Sequence, residues 1–505
     1  MNTRAFRSHT GFLLSLAVAF VLLTRLGESA AQSVILFIGD GMGPGAVQFA
    51  SIKLHGRDGK LAMQGLPVKG MLCTTSYGGE VTDSAAAATA LATGYKTKDG
   101  MVGMTYDRSL VRSILEACRD VGKSTGLVAT SAVTDATPAC FASHVASRGM
   151  QYDIAEQLLA ARVNVILGGG KSMFLERHGE GYVGVDFLDA KGEKISSSTD
   201  RVRWMADQSI EHGFTAPPGT AKASIWIWRD NGGTAGVFDD IRFEPKKVKP
   251  RTGPPNLVVN GDFEKGDTTG WNVWSACAVT REGPSQALRV GDGGGCDQAV
   301  AAEPGVEYEF AYRAHIADPY AGGDKRTAWD VAGKSGYTCL DRKEDLARAK
   351  GPYVLGLFAP GSLENTPEEP SLPQMAAKAV DILKANPAGF FLMVEGSQID
   401  WAVHGNDPVE MAKRISAFDD AVRAAVAFAK KRGDVLVVVT ADHETSDVSV
   451  EGGNRATLKV KFGGKGHTAR MVPLFAFGPG SAALAGPHDN TEVPGLIAKA
   501  LGLSF

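Results

Sequence analysis

Beyond its first two dozen residues the chain has no apolar run long enough to cross a bilayer as a helix, which excludes membrane spans in the body of the sequence. It also lacks any long block of Lys or Arg. With 53 basic and 56 acidic residues the formal charge is only -3, and the basic, aromatic-interleaved stripe of a nucleic-acid binder is missing. Cysteine is scarce, six in 505 residues, and no two share the close spacing of a zinc knuckle or redox motif. Disulfides are permitted rather than required. Cys277 and Cys296 share one Gly-rich neighbourhood and could pair, while Cys73, Cys118, Cys140 and Cys339 admit three connectivities. What the chain does not lack is apolar surface: 44% hydrophobic residues against 22% charged exclude disorder, and the length suffices for more than one domain.

The N-terminus reads as an export signal. Arg4 and Arg7 precede an apolar run from Gly11 to Leu23, and the small residues Ser29, Ala30 and Ala31 follow. That run is shorter than the roughly 20 residues a span needs, so residues 1–31 are expected to be removed. The product would be secreted or periplasmic, with no membrane span.

From Ser33 the sequence alternates short continuous apolar runs with helical stretches. The runs are 34–38, 126–130, 163–167, 353–359, 390–394, 435–440 and 473–477. Strands buried on both faces require continuous rather than alternating hydrophobicity, so the expected fold is α/β, a mostly parallel central sheet between helices. Ligands of such sheets bind at the carboxyl ends of the strands. Between about Gly181 and Tyr320 the pattern changes to short aromatic strands, 224–228, 237–243 and 306–312, with no amphipathic helix between them. An all-β sandwich is therefore expected as an insert in residues 181–320, flanked by catalytic segments 32–180 and 321–505.

Chemistry-bearing residues gather where strands end. The strand through Ile38 runs into Gly39-Asp40-Gly41, a carboxylate on a glycine turn. Thr82 to Ala90 is a short polar step into an alanine-rich helix, which puts Ser84 near a helix N-terminus that favours anions. After the run ending at Val394 come Glu395, Asp400 and His404, the last two four apart and on one helical face. Thr440 is followed by Asp442 and His443, and His467 stands in a polar turn before the last run. Singly each has a bland explanation as a cap or turn residue; their shared placement at strand ends does not. His55, His144, His178, His212, His315 and His488 have no second ligand at useful spacing and are expected to be structural or solvent-exposed.

Taken in order, Asp83-Ser84-Ala85, Asp135-Ala136-Thr137-Pro138, Ser147-Arg148, Glu395 to His404, Thr440 to Glu444 and Gly466-His467-Thr468 resemble the motifs of the alkaline phosphatases. The resemblance implies a phosphate monoesterase acting through a phosphoserine at Ser84, with Arg148 clamping the phosphoryl group. It further implies two zinc ions (Zn2+), one on Asp400, His404 and His467 and the other among Asp442, His443, Asp40 and Ser84. One magnesium ion (Mg2+) would take Asp40, Thr137 and Glu395, with Asp135 behind it. These ligand types suit those metals. Two positions depart from much of the family. Trp401 replaces a lysine after the zinc aspartate, and Asp135 stands where others have His, so Co2+ in place of zinc stays open. A homodimer, frequent in the family, is the implied assembly.

The insert resembles jelly-roll carbohydrate-binding modules. A stretch like their opening, Asn256 to Glu264 with Gly270-Trp271, follows strands like their closing half, Trp226-Ile227-Trp228 and Phe238 to Ile241. That order implies a circular permutation through the linker Lys246 to Pro254, and it implies glycans as partners of the insert. Two rival readings remain. One is a phosphodiesterase or sulfatase of the same superfamily, although Ser84-Ala85-Ala86 lacks the Cys/Ser-x-Pro-x-Arg context of sulfatases. The other is a non-catalytic, sugar-binding surface protein.

Overall fold

In the computed structural model, the strand Ser33–Gly39 lies near the middle of a ten-stranded sheet and is buried along its whole length. The described residues are 30–175, 181–202, 208–229, 236–246, 256–274, 277–282, 285–291, 294–316 and 327–505. Nearly all of the expected leader, and the linker 247–254, lie outside them. Two units are present. One comprises residues 1–148, 157–171 and 332–505, the other 149–156 and 172–331.

The first unit holds the large sheet. Its order is Thr338–Leu340, Val354–Leu357, Val165–Gly169, Ser124–Ala132, Phe390–Gly396, Ser33–Gly39, Val435–Thr440, Val472–Phe477, Val68–Cys73 and Gly486–Asp489. The first seven strands run parallel; Val472–Phe477 is antiparallel to both of its neighbours. The α/β reading holds. The continuous runs 34–38, 390–394 and 435–440 are the three central strands, and every residue of those strands is buried, as helices on both faces of a parallel sheet demand.

Register decides what those strands deliver. Ile38 lies beside both Glu395 and Thr440, so the three strands stop at one level and release Asp40, Glu395 and Asp442 side by side. The helix Ser84–Thr93 is buried on every side, which its alanines allow. Asp83 caps it by accepting from the Ala86 N–H at 2.9 Å. A short antiparallel pair sets Glu444 opposite Thr468 and Thr445 opposite His467, carrying His467 back to the strand ends. Among the described residues no helix is long and apolar enough to cross a membrane.

The second unit contains two five-stranded antiparallel sheets. One runs Asn272–Trp274, Gly295–Ala301, Lys222–Arg229, Gly181–Leu188, Lys194–Val202. The other runs Cys277–Glu282, Ser285–Val290, Gly236–Pro245, Glu307–Ile316, Gln208–Thr215. Both contribute to one apolar core that includes Val183, Ile225, Ile227, Phe238, Phe243, Leu288 and Phe310. Here the strands alternate: Ala223, Ile225 and Ile227 are buried, whereas Ser224, Trp226 and Trp228 are not. All six cysteines are free thiols, so Cys277 and Cys296 are not joined, although Cys296 is buried in this core and Cys277 packs against it.

Candidate metal centre and nucleophile

Three oxygens converge on one imidazole nitrogen. Around His443 Nε2 lie Ser84 Oγ at 3.2 Å, Asp40 Oδ1 at 3.3 Å and Asp442 Oδ2 at 3.4 Å. The other ring nitrogen, Nδ1, is 3.2 Å from Thr445 Oγ, and that hydroxyl donates to Asp400 Oδ1 at 2.6 Å. Because the Thr445 proton is committed to Asp400, its oxygen accepts from His443 Nδ1–H, which leaves Nε2 without a proton. Asp40 Oδ1 and Asp442 Oδ2 are consequently buried with no hydrogen-bond donor. Burial, opposed by Asp442 and reinforced by His467, holds the His443 imidazole below its usual pKa and hence neutral.

A second cluster adjoins the first. His404 Nε2 is 3.2 Å from Asp400 Oδ2 and 3.1 Å from His467 Nε2, and the His467 ring stacks on that of His443 at 3.6 Å. Backbone carbonyls fix both outer rings through Nδ1: Lys465 O for His404, and Thr82 O at 2.8 Å for His467. Both Nε2 atoms then face one another beside the Asp400 carboxylate, so two ring nitrogens and a carboxylate turn toward one point. Gly41 makes the convergence of chains possible: its φ is +65°, and a Cβ there would come within 2.4 Å of Asp400 Oδ1.

Ligand atoms of Asp40, Asp442 and His443 all lie within 4.8 Å of one another, and so do those of Asp400, His443 and His467. Burial first, then the charges of Asp442, Asp400 and Glu395, push the Asp40 carboxyl well above its ordinary range. Burial and Asp135 push Glu395 up to about 8. Such a store of buried carboxylates and bare imidazole nitrogens suits divalent cations, since a cation would supply the positive partner that both orphaned oxygens lack. Thr137, buried two residues after Asp135, donates to Glu395, so two of the oxygen groups expected for magnesium are brought together.

Arg148 stands beside this centre. Its Nη1 donates to Asp83 Oδ2 at 3.3 Å and its Nη2 to Asp135 Oδ1 at 2.8 Å, and the side chain keeps a solvent-facing part. Burial works against its charge, but Asp135, Asp83 and Asp40 hold it firmly protonated. A guanidinium fork of this kind can pair with two oxygens of a tetrahedral dianion.

The model of the alkaline phosphatase family matches residues 31–189 and 293–457, well over half of the chain. The chain belongs to the alkaline phosphatase family. It is accordingly a phosphomonoester hydrolase of a metal-dependent family. Alkaline phosphatase 3 of Bacillus subtilis is 27% identical, over 94% of this chain and 90% of that protein. The alkaline phosphatase of Escherichia coli is 26% identical, over 95% and 88%. The chain is also similar to streptomycin-6-phosphate phosphatase of Streptomyces griseus, 27% identical over 97% and 95%. Among solved structures, alkaline phosphatase from the Antarctic bacterium TAB5 superposes with a TM-score of 0.61 at 22% identity, covering 94% of this chain and 99% of that one.

Of the residues expected from sequence, Asp40, Ser84, Asp442 and His443 meet in one group, Asp400, His404 and His467 in the next, and Thr137 with Glu395 in a third. Trp401 joins none of them; it is 46% exposed, next in sequence to buried Asp400. Two roles escaped the sequence reading. Thr445 bridges the two histidine-bearing clusters, and its position two residues after His443 on an extended segment was the available signal. Asp83 both caps the nucleophile's helix and anchors Arg148, also accepting from Gly100 N at 3.0 Å.

Proposed function

We propose that the protein hydrolyses phosphate monoesters through a phosphoserine at Ser84, using two zinc ions and one magnesium ion. Asp400, His404 and His467 would hold one zinc, and Asp442, His443, Asp40 and the Ser84 oxygen the other. Asp40, Thr137 and Glu395 would hold magnesium. Bound there, the metals would lower the pKa of a coordinated hydroxyl and neutralise charge on the entering and leaving oxygens. The observation that carries the reading is the Ser84 hydroxyl at 3.2 Å from an unprotonated, fully buried imidazole nitrogen flanked by two unpaired carboxylate oxygens.

The chain's own groups perform the rest. Arg148 exchanges part of its fork from Asp83 and Asp135 onto two phosphoryl oxygens and orients phosphorus toward Ser84. Backbone N–H groups at the start of the helix Ser84–Thr93 favour the added negative charge. Ser84 Oγ forms the new P–O bond as the ester P–O bond breaks, the serine proton leaving with the alcohol. Water then attacks the phosphoserine, returning a proton to Ser84 and releasing inorganic phosphate.

Asp135 stands where other family members carry His. A histidine-to-aspartate variant of the TAB5 alkaline phosphatase has Mg bound in its M3 site, which supports magnesium for the third site here over further zinc or cobalt. An N-terminal segment with the pattern of an export signal would send the protein out of the cytoplasm as a secreted or periplasmic enzyme. The test is turnover of a chromogenic phosphate monoester and of the matching diester, with metal analysis of the same preparation. Ser84→Ala is expected to lose at least about a thousandfold in kcat/KM while retaining its metals. Full activity in that variant, or faster turnover of the diester, removes the proposal.

A further inference from the structure

Where two of the central strands stop pairing, side-chain hydroxyls take over from the backbone. Ser124–Ala132 and Phe390–Gly396 run parallel, and their register ends with Glu395 beside Ala129. Past that pair the two chains are stitched by serine and threonine. Ser397 N donates to Thr130 Oγ1 at 3.1 Å, and Ser131 N donates to Ser397 Oγ at 3.0 Å. The Ser397 hydroxyl in turn donates to Ser131 Oγ at 3.0 Å. Thr130, Ser131, Ser397 and Glu395 are all buried.

This hydroxyl pair adjoins a carboxylate already placed in the third group. Ser131 Oγ is 3.4 Å from Glu395 Oε2, and the hydroxyls of Ser397 and Thr137 also hydrogen-bond to Glu395. Ala132 O, 3.2 Å from Ser131 Oγ, competes for the same proton, but a charged acceptor forms the stronger bond. The three carboxylates released at the strand ends are therefore not equivalent. Asp40 Oδ1 and Asp442 Oδ2 are buried without a donor, whereas Glu395 is supplied with hydroxyl donors before any cation arrives. Hydrogen bonds to a ligating group fix which of its atoms it offers.

We propose that Ser131 and Ser397 hold Glu395 through Oε2, so that it presents a single oxygen to the third cation, and that this selects Mg2+ over Ca2+. Mg2+ demands near-octahedral geometry and keeps several of its waters, whereas Ca2+ takes about six to eight oxygens and accepts both from one carboxylate. A carboxylate held by one oxygen cannot swing into that two-oxygen contact. Both serines are positioning residues, acting on the cation through Glu395. The inference deepens the three-metal reading and rests on it.

The test is calorimetric titration of the protein, loaded with two equivalents of zinc, with Mg2+ and separately with Ca2+. Wild type is expected to prefer Mg2+. Ser131→Ala and Ser397→Ala should each weaken Mg2+ binding about tenfold and leave Ca2+ binding nearly as it was, so the preference narrows by the same factor. Zinc content should stay at the wild-type level in both. Thr130→Val is the control for a merely structural stitch, since it loosens the same strand ends without touching Glu395; it should lower the thermal midpoint and keep the cation preference. An unchanged preference in both serine variants overturns the proposal and leaves the phosphatase reading standing, as does a preference that narrows equally in Thr130→Val. Wild type that binds neither ion removes the third site itself, and the inference with it.

Discussion

The two β regions of this molecule handle side-chain chemistry in opposite ways. In the large sheet the central strands are buried on both faces, so no polar group can leave sideways, and Asp40, Glu395 and Asp442 emerge only at the strand ends. In the sandwich each strand has one inner face. Every second residue is released along its length, and the unusual residues are spread over a surface. A buried end creates a low-dielectric point where carboxylates raise one another's pKa and a cation is needed. An outer face creates a wide platform that stays wet. Point-like, charge-driven chemistry therefore belongs to the first region, while the second spreads its outward aromatic side chains over a surface.

The contrast breaks most sharply if the sandwich core is emptied. Phe243 is fully buried, stacks on Tyr308 at 4.7 Å and contacts Phe187 and Phe310. Phe243→Ala should cost about 3–5 kcal/mol of sandwich stability through lost burial and a residual cavity. Limited proteolysis should then cut within Ser172–Val331 at denaturant concentrations that leave the wild type intact, while the flanking segments survive. Uniform loss of both regions in one step would show that the contrast has no thermodynamic counterpart.

How far the sequence foretold these regions depends on the same contrast. The buried parallel strands were legible because a run such as Val435 to Thr440 has no polar interruption, and strand ends are where such sheets keep their ligands. Asp40, Asp442 and His443 were therefore found by position. Thr445 was not, because a threonine two residues past a histidine reads as ordinary strand composition. Its role exists only through Asp400, 45 residues earlier. On the face of the sandwich the individual tryptophans were visible. Their alignment was not: register across four strands, and the glycines that give Trp274 and Trp226 their places, are long-range facts.

Thr445 gives a sharper test of the strand-end region. Its hydroxyl donates to Asp400 and accepts from His443, so one oxygen orients a ligand in each cluster. Thr445→Val keeps the volume and removes both bonds. Metal affinity, read by competition with a chromogenic chelator on the resting protein, should fall about 10- to 100-fold, and Thr445→Ser should recover most of it. Equal affinity in all three forms would make Thr445 a spacer.

The smallest effect lies at His144, which ties the Arg148 segment to its surroundings. Its Nδ1 faces Gly103 O at 2.7 Å and its Nε2 faces Glu116 Oε1 at 3.3 Å. Val145 bridges to Val102, and Arg148 N donates to Gly100 O. The Glu116 hydrogen bond, opposed by burial and by Arg119, raises the His144 pKa. A raised folded-state pKa means that the protonated pair stabilises fully below the unfolded value of about 6.5 and that this contribution fades as pH climbs past the raised one. Glu116 is held low by the same partner against its own burial, so it stays ionised throughout that window. Replacing His144 by Gln should therefore lower the thermal midpoint most at pH 6, by an amount equivalent to about 1 kcal/mol or less, with the gap to wild type closing by pH 9. A gap of constant size across that range would mean that His144 acts through packing and neutral hydrogen bonds alone.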